Sequence, residues 1–146
     1  QVVHQCGKQH LLMAREAYDQ AGVRADVEAF IADMAGAYAW ADLVICRAGA
    51  LTVCELAAAG RPSLLIPLPH AIDDHQTANA RYLADRGAAV LMPQAQLDDE
   101  QLANTLINYM NNSELLQQMA ERAREQATPN ATADVVRACL EVAREH

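Results

Sequence analysis

One segment of the chain combines small residues, a hydroxyl and a carboxylate in an order that could bind a phosphorylated ligand. It runs from Cys46 to Glu55 and reads CRAGALTVCE, directly after an apolar run that is typical of a buried strand. The first amides of a helix have no intrahelical acceptor, and with the helix dipole they attract anions. We therefore predict that the amides of Ala50, Leu51 and Thr52 hold a phosphate, with the Thr52 hydroxyl as a further donor.

Glu55 lies one turn further into the predicted helix. A carboxylate at this place could accept hydrogen bonds from two ribose hydroxyls, as acidic residues do in dinucleotide-binding folds. It could also do no more than stabilise the first helical turn electrostatically. The spacing alone leaves both interpretations open. Gly49, just before the helix, would let a ligand approach the backbone closely.

A second polar cluster, residues 73–80, reads DDHQTANA. Gln76 and Asn79 are three residues apart, so they share one face of a helix, and their amides suit sugar hydroxyls. The pattern alone favours a solvated helix start. His70 and His75 are interpreted as polar loop residues, because no nucleophile accompanies either of them.

Apolar runs alternate with helical patterns along the chain. The predicted strands are residues 2–5, 27–31, 43–46, 63–66 and 88–92, and the predicted helices are 9–21, 33–40, 50–59 and 75–86, followed by two helices capped by Asp98 and Ser113 and a last one after residue 130. This order predicts an α/β fold with a doubly wound, Rossmann-like parallel sheet. Ligands bind such sheets at the carboxyl ends of the strands, which here means the loops at residues 7–8, 31–34, 47–50 and 68–74.

Composition narrows the classes of function. The 146 residues include 11 Lys and Arg against 19 Asp and Glu, a net charge of −8, which argues against binding nucleic acid or an anionic membrane through a basic face. No apolar run is long enough to span a bilayer. The four cysteines have no metal-site spacing, so no metal is expected and the thiols are interpreted as reduced. The chain opens inside a strand-like run without Met, and we expect a single domain, residues 1–146, cut from a longer protein.

Four stretches of the chain resemble the MurG family of N-acetylglucosaminyltransferases, and together they cover nearly all of it. They are ICRAGALTVCELAAAGRPSLLIPLPHAIDDHQTANARYLADRGAA, HQCGK, VEAFIADMAGAYAWADLVICR and MAERAREQATPNAT. The elements RxGAxTxxE and HQxxNA, in this order and spacing, are the most specific part of the resemblance.

The resemblance implies an inverting transferase of the GT-B architecture. Such an enzyme moves GlcNAc from UDP-GlcNAc to the 4-hydroxyl of the MurNAc unit of lipid I, forming lipid II in peptidoglycan synthesis. The chain matches the C-terminal, donor-binding half without its first strand. The implied partners are UDP-GlcNAc directly, and lipid I and the inner-membrane surface through the missing half, with no nucleic acid, cofactor or metal. The implied location is the cytoplasmic face of the bacterial inner membrane, with the chain itself soluble and inactive alone, because the general base is expected in the missing half.

The resemblance also implies roles for individual residues. The expected contacts are the backbone of Ile31 with uracil, Phe30 beside the base, Ala50, Leu51 and Thr52 with the diphosphate and sugar, Glu55 with the ribose, and Gln76 and Asn79 with GlcNAc hydroxyls. Val53 and Cys54 are counted among the substrate-binding residues without an individual role. Cys54 stands where relatives often have serine. The loop at residues 67–76 looks one residue longer than in some relatives, which leaves the counterpart of His70 unassigned.

Two other functions are compatible with the sequence. UDP-GlcNAc 2-epimerases share the GT-B architecture, although the acid and base carboxylates that they would need are not evident here. A non-catalytic nucleotide-sugar-binding or interaction domain is the other alternative. Calorimetry with UDP-GlcNAc, UDP and UDP-glucose would separate the three.

Overall fold

The structure, a computed structural model, describes residues 1–69 and 74–144. Its strands are β1 (Val2–Gln5), β2 (Ala25–Glu28), β3 (Val44–Cys46), β4 (Ser63–Leu65) and β5 (Ala89–Leu91). Its helices are α1 (Leu11–Gln20), α2 (Met34–Trp40), α3 (Ala50–Ala59), α4 (His75–Ala84), α5 (Asp99–Met110), α6 (Ser113–Glu125) and α7 (Ala131–Arg144), with short 3-10 turns at Lys8–His10 and Gln94–Gln96. The chain divides into two compact units, Gln1–Ala39 and Trp40–His146.

The first unit is built on the parallel pair β1 and β2, joined by the crossover helix α1. Ala14 of α1 and Val27 of β2 are buried, so the helix covers the strands with its small-residue side. The ring of Tyr18 meets that of His4 edge-on at 5.8 Å, and the Tyr18 hydroxyl is 3.3 Å from His4 Nδ1. These contacts attach α1 to β1.

The second unit contains a three-stranded parallel sheet in the order β3-β4-β5. The central strand β4 is buried along its whole length, as expected for a strand covered on both faces. Helices α3, α4 and α6 contribute to the core through the buried residues Val53, Leu56, Ala57, Ala80, Leu83, Met119 and Ala123. Cys46 of β3 pairs with Leu65 of β4, so the two strands end side by side and their following loops emerge at one edge of the sheet.

The end of α3 is fixed by a glycine that lies beside an arginine. Gly60 has φ 60, a left-handed conformation that side chains disfavour, and it closes the helix by donating to Ala57. A Cβ at Gly60 would lie 2.7 Å from Nε of Arg124 on α6. The left-handed backbone is what favours glycine here, because the Arg124 guanidinium is the end of a flexible side chain that can shift.

The predicted alternation of helices and parallel strands is confirmed, and several boundaries differ. Among the described residues, β1 pairs with β2 in the first unit, and β3, β4 and β5 pair in the second. The second strand ends at Glu28 rather than residue 31, because its partner β1 ends at Gln5 and the Cys6 amide closes the ladder on Glu28. Asp98 caps α5 as predicted, accepting from the Gln101 amide at 2.7 Å.

The cap of α6 differs from the prediction. Asn112, not Ser113, occupies that place, and its Oδ1 accepts from the Leu115 amide at 3.1 Å. Asn is as good an N-cap as Ser, so two neighbouring candidates could not be separated by residue type. Among residues 1–69 and 74–144, no helix has both the length and the apolar character that crossing a membrane requires.

Candidate functional site

The turn between β3 and α3 leaves the start of the helix open. Gly49 is the N-cap residue, with φ −64 and ψ 146, and no side chain of the cap accepts from the helix. The hydrogen bond from the Val53 amide to the Gly49 carbonyl, at 3.0 Å, is the first of the helix. The amides of Ala50, Leu51 and Thr52 precede it. They therefore have no acceptor within the helix, and their binding of an anion stays a prediction.

Burial divides α3 into two faces. Val53, Leu56 and Ala57 lie inside, at the spacing of one helix face. Leu51, Cys54 and Glu55 lie on the exposed face. Glu55 is three residues after Thr52 and four after Leu51, so its carboxylate is next to the open first turn.

Val53, one of the predicted substrate-binding residues, is part of the structure of α3 itself. Its side chain is 3% exposed and its amide is donated to Gly49, so the described structure uses both groups to build the helix. The neighbouring Leu51 is 80% exposed. A ligand that contacts the predicted segment would therefore meet Ala50, Leu51, Thr52 and Cys54 rather than Val53.

Two side chains of helix α4 form hydrogen bonds with the loops that follow β3 and β4. Asn79 Nδ2 donates to the carbonyl of Ala48, in the β3–α3 turn, at 3.0 Å. Gln76 Oε1 accepts from the amide of Leu68, in the loop after β4, at 2.9 Å. The structure thus brings Asn79 to the open start of α3, and it gives both amide side chains a partner within the protein that the sequence analysis had not predicted.

Arg47 is a residue of this edge that sequence reasoning did not assign to the site. Its Nη1 donates to the carbonyls of Ile66 and Pro67, each at 3.2 Å. The arginine therefore connects the end of β3 to the loop after β4. Its place just before a small-residue turn was visible in the sequence, but its partners are main-chain carbonyls, which residue types cannot reveal.

Phe30 and Ile31 belong to the first unit. The Ile31 amide already donates to Gln5 Oε1 at 2.8 Å, and the Phe30 side chain is 71% exposed. A base that pairs with the Ile31 backbone would therefore use its carbonyl or displace Gln5. The uracil contact of these two residues stays a prediction.

The histidines and nearby acids were interpreted as polar residues of a loop. His70 lies outside the described residues, and His75 is the exposed first residue of α4. Asp74 precedes α4 with φ 50, and its carboxylate accepts from the Thr77 hydroxyl at 2.6 Å. A short polar side chain tolerates this left-handed backbone better than most, which explains an aspartate at the helix start.

The cysteines are free thiols. Burial raises the pKa of the Cys46 thiol from 9.0 to about 11, so it stays neutral at physiological pH. Within the described parts of the chain, no group of three or more His, Cys, Asp or Glu side chains could hold a metal ion.

A parallel α/β fold with an open helix start at the carboxyl edge of its strands is an arrangement that many nucleotide-binding proteins share. Residues 1–135 match the glycosyltransferase family 28 C-terminal domain, and the chain belongs to this family.

Individual relatives agree with this family. The chain is 63% identical over 143 residues to a protein of Stutzerimonas stutzeri, and 62% identical to one of Pseudomonas putida, each named UDP-N-acetylglucosamine–N-acetylmuramyl-(pentapeptide) pyrophosphoryl-undecaprenol N-acetylglucosamine transferase. Both matches cover 98% of this chain and 40% of the relative. The crystal structure of Acinetobacter baumannii MurG matches with a TM-score of 0.89 and 48% identity, over 95% of this chain and 42% of that one. The predicted fold class, that of the C-terminal domain of a GT-B glycosyltransferase, is confirmed.

Proposed function

We propose that the chain binds UDP-GlcNAc and forms the donor-binding part of a transferase that adds GlcNAc to lipid I, producing lipid II with inversion at the sugar. The observation that carries this proposal is the open first turn of α3, with Glu55 beside it and Asn79 bonded to its turn. The relatives named above are all transferases, which favours this function over an epimerase. Because the chain spans about two fifths of their length, the activity of the whole enzyme is inferred.

The diphosphate is assigned to the amides of Ala50, Leu51 and Thr52. These donors and the helix dipole supply local positive potential, so a chain with a net charge of −8 can still bind an anion. Glu55 is assigned to the ribose hydroxyls, because its carboxylate lies on the exposed face next to that turn. Gln76 and Asn79 are assigned to GlcNAc hydroxyls, Gln76 through its NH₂ group and Asn79 through Oδ1, the amide atoms opposite those bonded to Leu68 and Ala48.

The proposed chemistry is a displacement at the anomeric carbon. The acceptor hydroxyl forms the new glycosidic bond on the face opposite UDP, the bond to the diphosphate oxygen breaks, and its electron pair leaves with UDP. Negative charge grows on that oxygen in the transition state, where fixed amides of α3 would stabilise it. The base that takes the hydroxyl proton is assigned to the part of the enzyme outside this chain, together with the contacts to lipid I and to the cytoplasmic face of the inner membrane.

Calorimetry of the chain with UDP-GlcNAc, UDP and UDP-glucose tests the donor assignment. We expect UDP-GlcNAc and UDP to bind and UDP-glucose to bind more weakly. Binding of none of them would contradict the proposal, and conversion of UDP-GlcNAc to its C2 epimer would support the epimerase alternative instead.

An assay for transfer to lipid I tests whether the base and the acceptor site lie outside this chain. We expect no turnover by the chain alone, because holding the acceptor near the sugar accounts for about 7–11 kcal/mol of barrier lowering in well-oriented reactions. Measurable transfer would show that the acceptor site and the base lie within these 146 residues.

A further inference from the structure

Asn79 is bonded to the backbone of the turn that precedes α3, across 31 residues of sequence. Its Nδ2 lies 3.0 Å from the carbonyl oxygen of Ala48, and Ala48 is fully buried. A buried carbonyl that loses its partner costs free energy, so this contact restrains the turn. Ala48 is two residues before the first amide of the helix.

We propose that Asn79 is a positioning residue for diphosphate binding: by holding the Ala48 carbonyl, it fixes the direction in which the first amides of α3 point. This inference rests on the proposed function and adds to it, since the resemblance assigns Asn79 to the sugar alone. An anion bound by several amides requires all of them to converge on one place. A turn that is free to rotate would lose that convergence without unfolding the domain.

The polarity of the contact separates this role from a direct sugar contact. A carbonyl can only accept, so Asn79 must direct its NH₂ group at Ala48, which leaves Oδ1 as the atom that could accept from a sugar hydroxyl. Asn79→Asp replaces the donor by an acceptor and keeps an oxygen for the sugar. It therefore removes the contact with Ala48 selectively.

Gln76→Glu is the matched control variant. Gln76 Oε1 accepts from the Leu68 amide, and a glutamate oxygen can accept from it in the same way. This variant adds the same negative charge one helical turn away, yet it keeps its contact with the protein. Any effect of charge alone on diphosphate binding will be shared by Asn79→Asp and Gln76→Glu.

The experiment measures binding of uridine, UDP and UDP-GlcNAc to the chain and to Asn79→Ala, Asn79→Asp and Gln76→Glu. We expect both Asn79 variants to weaken UDP and UDP-GlcNAc by about tenfold, the effect of one lost hydrogen bond, while uridine binding changes less than about twofold. Gln76→Glu should weaken UDP-GlcNAc more than UDP. If the Asn79 variants lower affinity for UDP-GlcNAc but not for UDP, or lower uridine equally, the positioning role is wrong.

A measurement without ligand keeps the test independent of the proposed function. In the wild-type chain, the Val53 amide bonds to Gly49 in the first turn of α3, and the Gly60 amide bonds to Ala57 at its other end, both at 3.0 Å. We expect Asn79→Asp to speed hydrogen exchange of Val53 about tenfold and to leave Gly60 unchanged. Equal exchange of Val53 in both proteins would overturn the inference. Failure of the wild-type chain to bind UDP would overturn the proposed function instead.

Discussion

The side-chain amide of Gln76 is given a fixed orientation by the main-chain amide of Leu68. The Leu68 N–H can only donate, and it lies 2.9 Å from Gln76 Oε1. Gln76 must therefore turn its NH₂ group away from this loop. A ligand hydroxyl that meets Gln76 would meet a donor.

This orientation makes a prediction about sugar selectivity. Gln76→Ala should reduce the preference for UDP-GlcNAc over its 4-epimer UDP-GalNAc by about tenfold, because a donor matched to one hydroxyl orientation is left unpaired by the other epimer. Competition titrations of both sugars against the wild-type chain and the variant measure the preference, with Gln118→Ala, at an exposed position of α6, as the control. If UDP affinity falls as much as UDP-GlcNAc affinity, Gln76 serves the loop or the nucleotide rather than the sugar.

Glu55 provides a test of the ribose assignment. Glu55→Ala should weaken UDP by about 1.5–3 kcal/mol, the cost of a lost charge-assisted hydrogen bond, while the fold stays intact because the side chain is exposed. Glu125→Ala, which removes an exposed carboxylate from the end of α6, controls for net charge. An unchanged dissociation constant for UDP in Glu55→Ala would contradict the ribose assignment.

Gly49 offers a substitution in which stability and binding should move in opposite directions. Its φ of −64 suits any residue, and a Cβ there would meet only the Thr52 hydroxyl, at 3.6 Å. A serine at an N-cap accepts from the first helical amides, so Gly49→Ser should raise the free energy of unfolding by a few tenths of a kcal/mol. The same hydroxyl would compete with the diphosphate and lower UDP affinity. Denaturant unfolding and calorimetry on one preparation check both effects, and stronger UDP binding would contradict the assigned role of the amides.

The buried thiol of Cys46 predicts a pH dependence of stability. Its pKa is raised from 9.0 to about 11 by burial, so the folded state favours the protonated form. The resulting stabilisation is complete below pH 9 and is lost as the pH rises through 11. The difference in the free energy of unfolding between wild type and Cys46→Ala should therefore shrink as the pH rises from 9 to 11. A constant difference across that range would show that folding does not raise the pKa of this thiol.

Elements were predicted well where local chemistry decides them. Helix α3 has the predicted limits, because small residues begin it and the left-handed Gly60 must end it. The cap at Asp98 follows from the same kind of local preference. The end of β2 was not predictable in this way, since it is set by pairing with β1 rather than by its own apolar residues. The expectation of an absent upstream strand stays a prediction.

The candidate site was predictable in its residue types but not in its internal contacts. Amides at a helix start and amide side chains at a helix face can be inferred from spacing. The bonds from Arg47 to Ile66 and from Asn79 to Ala48 end on main-chain carbonyls far along the chain, so only tertiary structure shows them. Val53 lies inside the predicted binding segment, yet its side chain is buried in the core, which the spacing alone did not indicate.

The central claim, that the start of α3 binds a diphosphate, is tested most directly by following backbone amide resonances during titration of the chain. We predict that UDP shifts the amides of Ala50, Leu51 and Thr52 strongly, because these groups would donate to phosphate oxygens, and that uridine leaves them nearly unchanged. Saturating UDP that shifts other amides but not these three would contradict the account.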